Sequence, residues 1–251
     1  HLEQQLIHRQ AISKMRFLKY IIVLSLLGNL GAFYVAGKYH QYSDSLYHFR
    51  DLYTPLTTDF GARGVFADSN PVLRSDTIVP GRVVFIGSEF VTHWDVKRLI
   101  PQYEVISRGI DDQRMGACLA RFVPDVIDLY PEAVVIAVSP YNFRPYSSIK
   151  EISEYVASMA ELAAANGITP LLTTTVPPTS ACTIEDHYNW IVKDSVAEFS
   201  RWIVSYADRQ GFPYVDLRAV VMDDNGYLRR EFADSQIALN EPGQKLAADL
   251  V

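Results

Sequence analysis

Two cysteines in 251 residues, Cys118 and Cys182, exclude a disulfide-stapled scaffold and a cysteine-ligated metal ribbon. They leave two readings open, a single bridge in an oxidising compartment or two buried or free thiols. Basic residues are in deficit, 23 against 29 acidic, for a net charge of -6, so there is no electrostatic footprint for nucleic acid. Neither a G-x-G-x-x-G nor a G-x-x-x-x-G-K-[ST] segment occurs, which leaves no phosphate-cradling loop and no cofactor to expect. Histidine is scarce as well, and none follows His187. Hydrophobic residues, by contrast, make up 49%, enough for a core and too many for a disordered chain.

Charge is also missing from one long run, Tyr20 to Gly37. As a helix these residues span about 27 Å, close to the hydrocarbon thickness of a bilayer. Arg9, Lys14, Arg16 and Lys19 precede the run, whereas Lys38 and Arg50 after it are offset by Asp44 and Asp51. That bias predicts a cytoplasmic amino terminus and an exported, periplasmic or otherwise extracytoplasmic, remainder. A signal peptide cleaved near Val35-Ala36-Gly37 is the rival reading, but the run is long for a signal core. The expected organisation is a cytoplasmic segment 1–15, a transmembrane helix 16–37, a juxtamembrane stalk and linker 38–80 and a folded domain 81–251. Met15-Arg16-Phe17-Leu18-Lys19 reads as a natural start of an anchor, with an upstream extension before it.

Within the anchor, Gly28 and Gly31 would let a second helix approach closely, and Asn29 would favour a partner over lipid. The stalk is rich in aromatics, including Tyr39, Tyr42, Tyr47, Phe49 and Tyr53, and Tyr42, Leu46, Phe49 and Tyr53 fall on one helical stripe. Tyrosines here suit lipid headgroups, or a partner subunit. Residues 54–80, with Pro55, Gly61, Gly64, Pro71 and Pro80, read as a linker packed on the domain edge or on a partner.

From Gly81 onward apolar strands alternate with amphipathic helices. Strands are expected at Arg82–Ile86, Tyr103–Ser107, Ala133–Val138, Ile168–Thr175 and Tyr214–Leu217. Helices are expected over Val91–Ile100, Arg114–Tyr130, Ile149–Asn166 and Ile184–Gln210, with a last one beginning at Leu246. This rhythm predicts a three-layer α/β/α sandwich around a five-stranded parallel sheet, whose working crevice lies at the strands' carboxyl ends.

Four blocks at those ends carry a family resemblance. Val83-Val84-Phe85-Ile86-Gly87-Ser88-Glu89-Phe90 is a strand entering a tight turn, and Ser107-Arg108-Gly109-Ile110-Asp111-Asp112 is a second turn. Pro140-Tyr141-Asn142-Phe143 follows the third strand, and Asp234-Ser235-Gln236-Ile237-Ala238-Leu239-Asn240-Glu241-Pro242-Gly243 closes the series. Together they resemble the signature blocks of the SGNH (GDSL-type) hydrolases over about residues 81–251. The resemblance implies a flavodoxin-like sheet and a serine nucleophile, oxyanion donors and an Asp-x-x-His pair at set positions. This chain departs at each. Glu89 stands at the nucleophile, Ser88 at the preceding Asp, Ser235 at the acid and Ala238 at the histidine. Asp111 and Asp112 replace glycines of the oxyanion turn, while Gly109 and Asn142 are kept. The residual pocket is thus expected from Ser88, Gly109, Asp111, Asp112 and Asn142. The fold would place the segments of Cys118 and Cys182 toward the same side.

A serine hydrolase needs a hydroxyl, a base in reach and an orienting acid. The methyl of Ala238 accepts no proton. Two unit charges about 5 Å apart repel by roughly 3 kcal/mol at an effective dielectric near 20, so acidic side chains at the oxyanion site would cancel what backbone amides offer. Three escapes were open: Ser88 as a nucleophile one residue early, His93 or His187 as a base, and Glu89, Asp111 and Asp112 as oxygen ligands for a hard cation. Against them stand an unactivated hydroxyl, surface or capping histidines, and solvated turn carboxylates. No metal is therefore expected. The sequence favours a non-catalytic, single-pass accessory or scaffolding subunit meeting other membrane subunits through Gly28, Asn29, Gly31, Tyr39, Tyr42 and Phe49. The alternatives are an envelope esterase or acyltransferase with a rearranged site, and a glycan- or acyl-binding module using Tyr141, Phe143 and Tyr146.

Overall fold

A computed structural model of the chain describes residues 2–143, 147–180, 192–235 and 237–251. Cys182, His187, Tyr146 and the side chain of Phe49 lie outside the described residues. The chain divides into one helix, Leu2–Thr58, and a compact body that begins at Asp59.

The helix has 57 residues and is about 85 Å long at 1.5 Å per residue. It runs without a break through the boundaries drawn from sequence at 15/16 and 37/38. Its stretch Ser13–Leu46 is long and apolar enough to cross a membrane, and its apolar side chains, such as Leu24, Leu27 and Phe33, stand exposed along it. Asn29 donates its amide to the Ser25 carbonyl one turn back at 2.8 Å, so its donor is satisfied within the helix. The argument for a partner helix then rests on the open surface at Gly28 and Gly31.

The body is built on five parallel strands in the order β2-β1-β3-β4-β5: β1 Val79–Gly87, β2 Glu104–Gly109, β3 Pro131–Ala137, β4 Thr169–Thr173 and β5 Tyr214–Val215. This is the flavodoxin-like order of a doubly wound sheet. Val84, Ile86, Val134 and Ile136 feed one core and Val83, Phe85, Val135 and Ala137 the other, with helices covering both faces. Continuous β-branched runs are what a strand buried on both faces needs. The helices Ile149–Ala165 and Val192–Gln210 close the first core with Ile152, Val156, Met159, Val196, Phe199 and Ile203.

Register sets up the site. Gly87 pairs with Gly109 on one side and with Ala137 on the other, so three strands end level. A side chain at Gly87 would run into the Ala137 carbonyl, and one at Gly109 into the Thr92 backbone. Close approach of backbones, rather than an unusual φ, is why glycine ends both strands.

Four local expectations are corrected. The helix read over Arg114–Tyr130 is three short pieces, Met115–Ala120, Phe122–Asp125 and Ile127–Leu129. Pro124 has no N–H to give, and the break turns Arg121 and Asp125 inward while Val123 faces solvent. The helix read over Val91–Ile100 is two single turns, Glu89–Thr92 and Val96–Leu99, with buried Trp94 between them. The last helix is Glu241–Ala248, not one starting at Leu246, because Asn240 caps it by accepting the Gly243 N–H at 3.0 Å. Finally, β5 stops at Val215, since Asp216 caps a short helix that takes Leu217.

Residues 59–78 belong to the body. Gly61, Asn70 and Leu73 each hydrogen-bond to it, although the segment's proline and glycine content reads as a linker. Cys118 is a free thiol, fully buried, and burial pushes its pKa up to about 11. In a Cys182→Ser background, alkylation of Cys118 at pH 8 is expected to run roughly 10²-fold slower than for a free cysteine, because so little thiolate is present. Mass spectrometry before and after denaturation checks this, and labelling of the native chain at the free-thiol rate would refute it.

Candidate functional site

The level ends of β1, β2 and β3 bring Ser88-Glu89, Ile110-Asp111-Asp112 and Ser139–Asn142 together. Beside them lies a cleft of about 160 Å³, with Glu89, His93, Trp94, Ser139, Tyr141, Ser235 and Ala238 in its wall. Glu89, Ser235 and Ala238, the three residues singled out from sequence, thus line one cleft.

Glu89 opens the single-turn helix Glu89–Thr92. Its Oε1 accepts the backbone N–H of Asp112 at 2.8 Å. Asp112 sits at φ 58°, in the left-handed region, where the resembled turn has glycine. Asp is among the non-glycine residues that tolerate this conformation best, so the turn keeps its shape and its amide direction. The Asp112 amide thus faces the Glu89 carboxylate. The other Glu89 oxygen, Oε2, is shielded from solvent and makes no hydrogen bond.

Ser88 and Asn142 lie behind the cleft wall, 0% and 3% exposed. Asn142 donates to Ser88 Oγ at 3.1 Å and to the Gln113 carbonyl at 3.4 Å, and accepts the Met115 N–H at 3.0 Å. With its amide so used, Asn142 ties three segments into one floor. Among the described residues the Ser88 hydroxyl meets this amide donor and no imidazole. Asp111 turns outward to His93, with Oδ2 3.4 Å from Nε2 and both side chains more than half exposed. The Asp111 side chain thus faces His93, and Asp112 meets Glu89 through its backbone N–H. Among the described residues no cluster of three or more His, Cys, Asp or Glu is arranged to hold a metal ion.

Beneath the floor is a buried polar network that the sequence reading did not find. Arg121, 0% exposed, donates to Asp125 Oδ2 at 2.8 Å, to Gln113 Oε1 at 2.6 Å and to the carbonyls of Arg108 and Gly87 at 2.7 and 3.3 Å. Arg108, also buried, donates to Asn70 Oδ1 at 2.8 Å. Burial pulls the Arg108 pKa below the usual arginine value; Asp125 opposes the shift and Arg121 adds to it. The one signal in the sequence was Arg121 itself, an arginine amid the apolar residues Leu119, Phe122, Val123 and Val126.

Strand order, level strand ends and the loops they carry define an SGNH (GDSL-type) hydrolase fold. Solved structures similar to it include a GDSL-like lipase from Bacteroides thetaiotaomicron, 25% identical, with a TM-score of 0.68 over 76% of this chain and 96% of that one. A protein from Bacteroides fragilis assigned as an acylhydrolase is also 25% identical, with a TM-score of 0.66 over 77% and 95% of the two chains. An acetylxylan esterase from Geobacillus stearothermophilus, in a catalytic-mutant form, shares the fold at 14% identity and a TM-score of 0.54, over 69% of this chain and 93% of its own. No family model matches the sequence, and no curated protein is detectably similar to it.

Proposed function

We propose that the chain is a membrane-anchored, non-catalytic SGNH-like protein, a pseudoenzyme that serves as an accessory or scaffolding subunit of a membrane assembly on the exported, periplasmic side. The observation that carries the reading is the Glu89 carboxylate on the Asp112 amide, at 2.8 Å. A group that already bears negative charge takes the donor a tetrahedral intermediate would need, and it does so at the nucleophile's own position. Ala238 in the same wall offers no base at the position where the resembled enzymes have histidine. The helix supplies attachment, through the small residues Gly28 and Gly31 and the aromatics Tyr39, Tyr42 and Phe49.

The esterase reading has one observation in its favour: His93 lines the cleft with Glu89. The ligand-binding reading has Tyr141 and Trp94 there, but about 160 Å³ is the size of a cavity that holds benzene and falls below the ~300 Å³ at which ligand pockets begin. Extraction in a mild detergent followed by native sizing tests the proposal. The chain is expected to migrate with other subunits, and a solitary monomer counts against it. Short-chain aryl esters should not be turned over; turnover abolished by Glu89→Gln or Ser88→Ala would establish the enzyme reading instead.

A further inference from the structure

We propose that residues 59–74 are a latch which fastens the chain leaving the long helix into the floor of the cleft, so that its docking and the Glu89–Asp112 contact stand or fall together. The latch makes three attachments inside the body. At its start, the Gly61 carbonyl accepts from Gln113 Nε2 at 3.0 Å. In its middle, Asn70 uses both ends of its amide, donating to Asp125 Oδ1 at 2.6 Å and accepting from Arg108 Nη2 at 2.8 Å. At its end, the Leu73 carbonyl accepts from Arg82 Nη1 at 2.7 Å. The Phe66 ring lies over both buried guanidiniums, 4.5 Å from Arg108 and 5.7 Å from Arg121.

These partners are cleft-floor groups. Gln113 follows Asp112 directly. Its Oε1 accepts from Arg121 and its carbonyl accepts from Asn142, which in turn donates to Ser88. One unbroken run of hydrogen bonds thus leads from Gly61 to the residue before Glu89. Arg108 and Arg121 are 4% and 0% exposed, and Asn70 and Phe66 supply part of what replaces water around them. An undocked latch would leave buried positive charge short of partners, which the turn bearing Asp112 can relieve only by moving.

Hydrogen exchange of the full chain in detergent, read by mass spectrometry, tests the latch. Asn70→Ala is expected to speed exchange at least tenfold in peptides covering 59–74 and equally in those covering 109–114, since it removes both hydrogen bonds of the amide, each to a charged group. Val72→Ser, at a side chain 84% exposed, should change neither. If Asn70→Ala does not fold, Phe66→Leu is read in the same two peptides. Faster exchange confined to 59–74 would overturn the proposal, as would no change in either, or an equal rise in β4 that marks general loosening.

Discussion

Asp125→Ala is expected to destabilise the body by about 3–5 kcal/mol, the loss seen when one member of a buried ion pair is removed and the other stays. Asp125 and Arg121 are both 0% exposed and 2.8 Å apart. The second Asp125 oxygen holds Asn70 at 2.6 Å, so the carboxylate satisfies two buried groups at once. Its loss leaves Arg108 and Arg121 near each other with their shared counter-charge gone. Neither can turn to water, because Phe66 covers both. Urea unfolding of the full chain in detergent, followed by tryptophan fluorescence because Trp94, Trp190 and Trp202 all lie outside the long helix, measures the effect. The double variant Asp125→Ala with Arg121→Met should recover most of the loss, since removing both charges also removes the unmet desolvation. A loss below about 1 kcal/mol for Asp125→Ala would mean that the pair is solvated and the network is not what holds the floor.

That network marks where the sequence stopped being informative. The strands were legible because each is a β-branched or apolar run with a glycine or a turn behind it, and their order followed from the family resemblance. Glu89, Ser235 and Ala238 were found as positions because the sheet fixes where β1 ends and Asn240 fixes where the last helix starts. What Glu89 does was not legible, since its partner is a backbone amide whose direction depends on Asp112 adopting φ 58°. The same limit explains the oxyanion argument. Sequence shows that Asp111 and Asp112 sit on this turn, but not that the Asp111 side chain leans to His93 or that the Asp112 N–H meets Glu89. Periodicity misled over Arg114–Tyr130, because a buried arginine and aspartate at i and i+4 look like a solvated face until the carbonyls they serve are known. Over 59–78 composition left open whether the segment packs on the domain edge or on a partner, because its hydrogen bonds to the body include main-chain carbonyls that no residue type reveals.

Rebuilding the three departed positions should bring back chemistry, and only in combination. Glu89→Ser removes the carboxylate from the Asp112 amide and places a hydroxyl beside it. Alone it should remain inactive toward p-nitrophenyl acetate, because no group near it accepts a proton. Ala238→His supplies an imidazole from the same cleft wall, and Ser235→Asp supplies the carboxylate three residues earlier to orient it. A positioned general base contributes about 10²–10⁴-fold, so the triple variant is expected to exceed Glu89→Ser by that factor in kcat/KM. Circular dichroism must show the triple variant folded for the comparison to count. Activity already present in Glu89→Ser would reveal a base elsewhere, with His93 the residue to remove next. A folded triple variant no more active than the unaltered chain would mean that Glu89, Ser235 and Ala238 line one cleft without the alignment a triad demands.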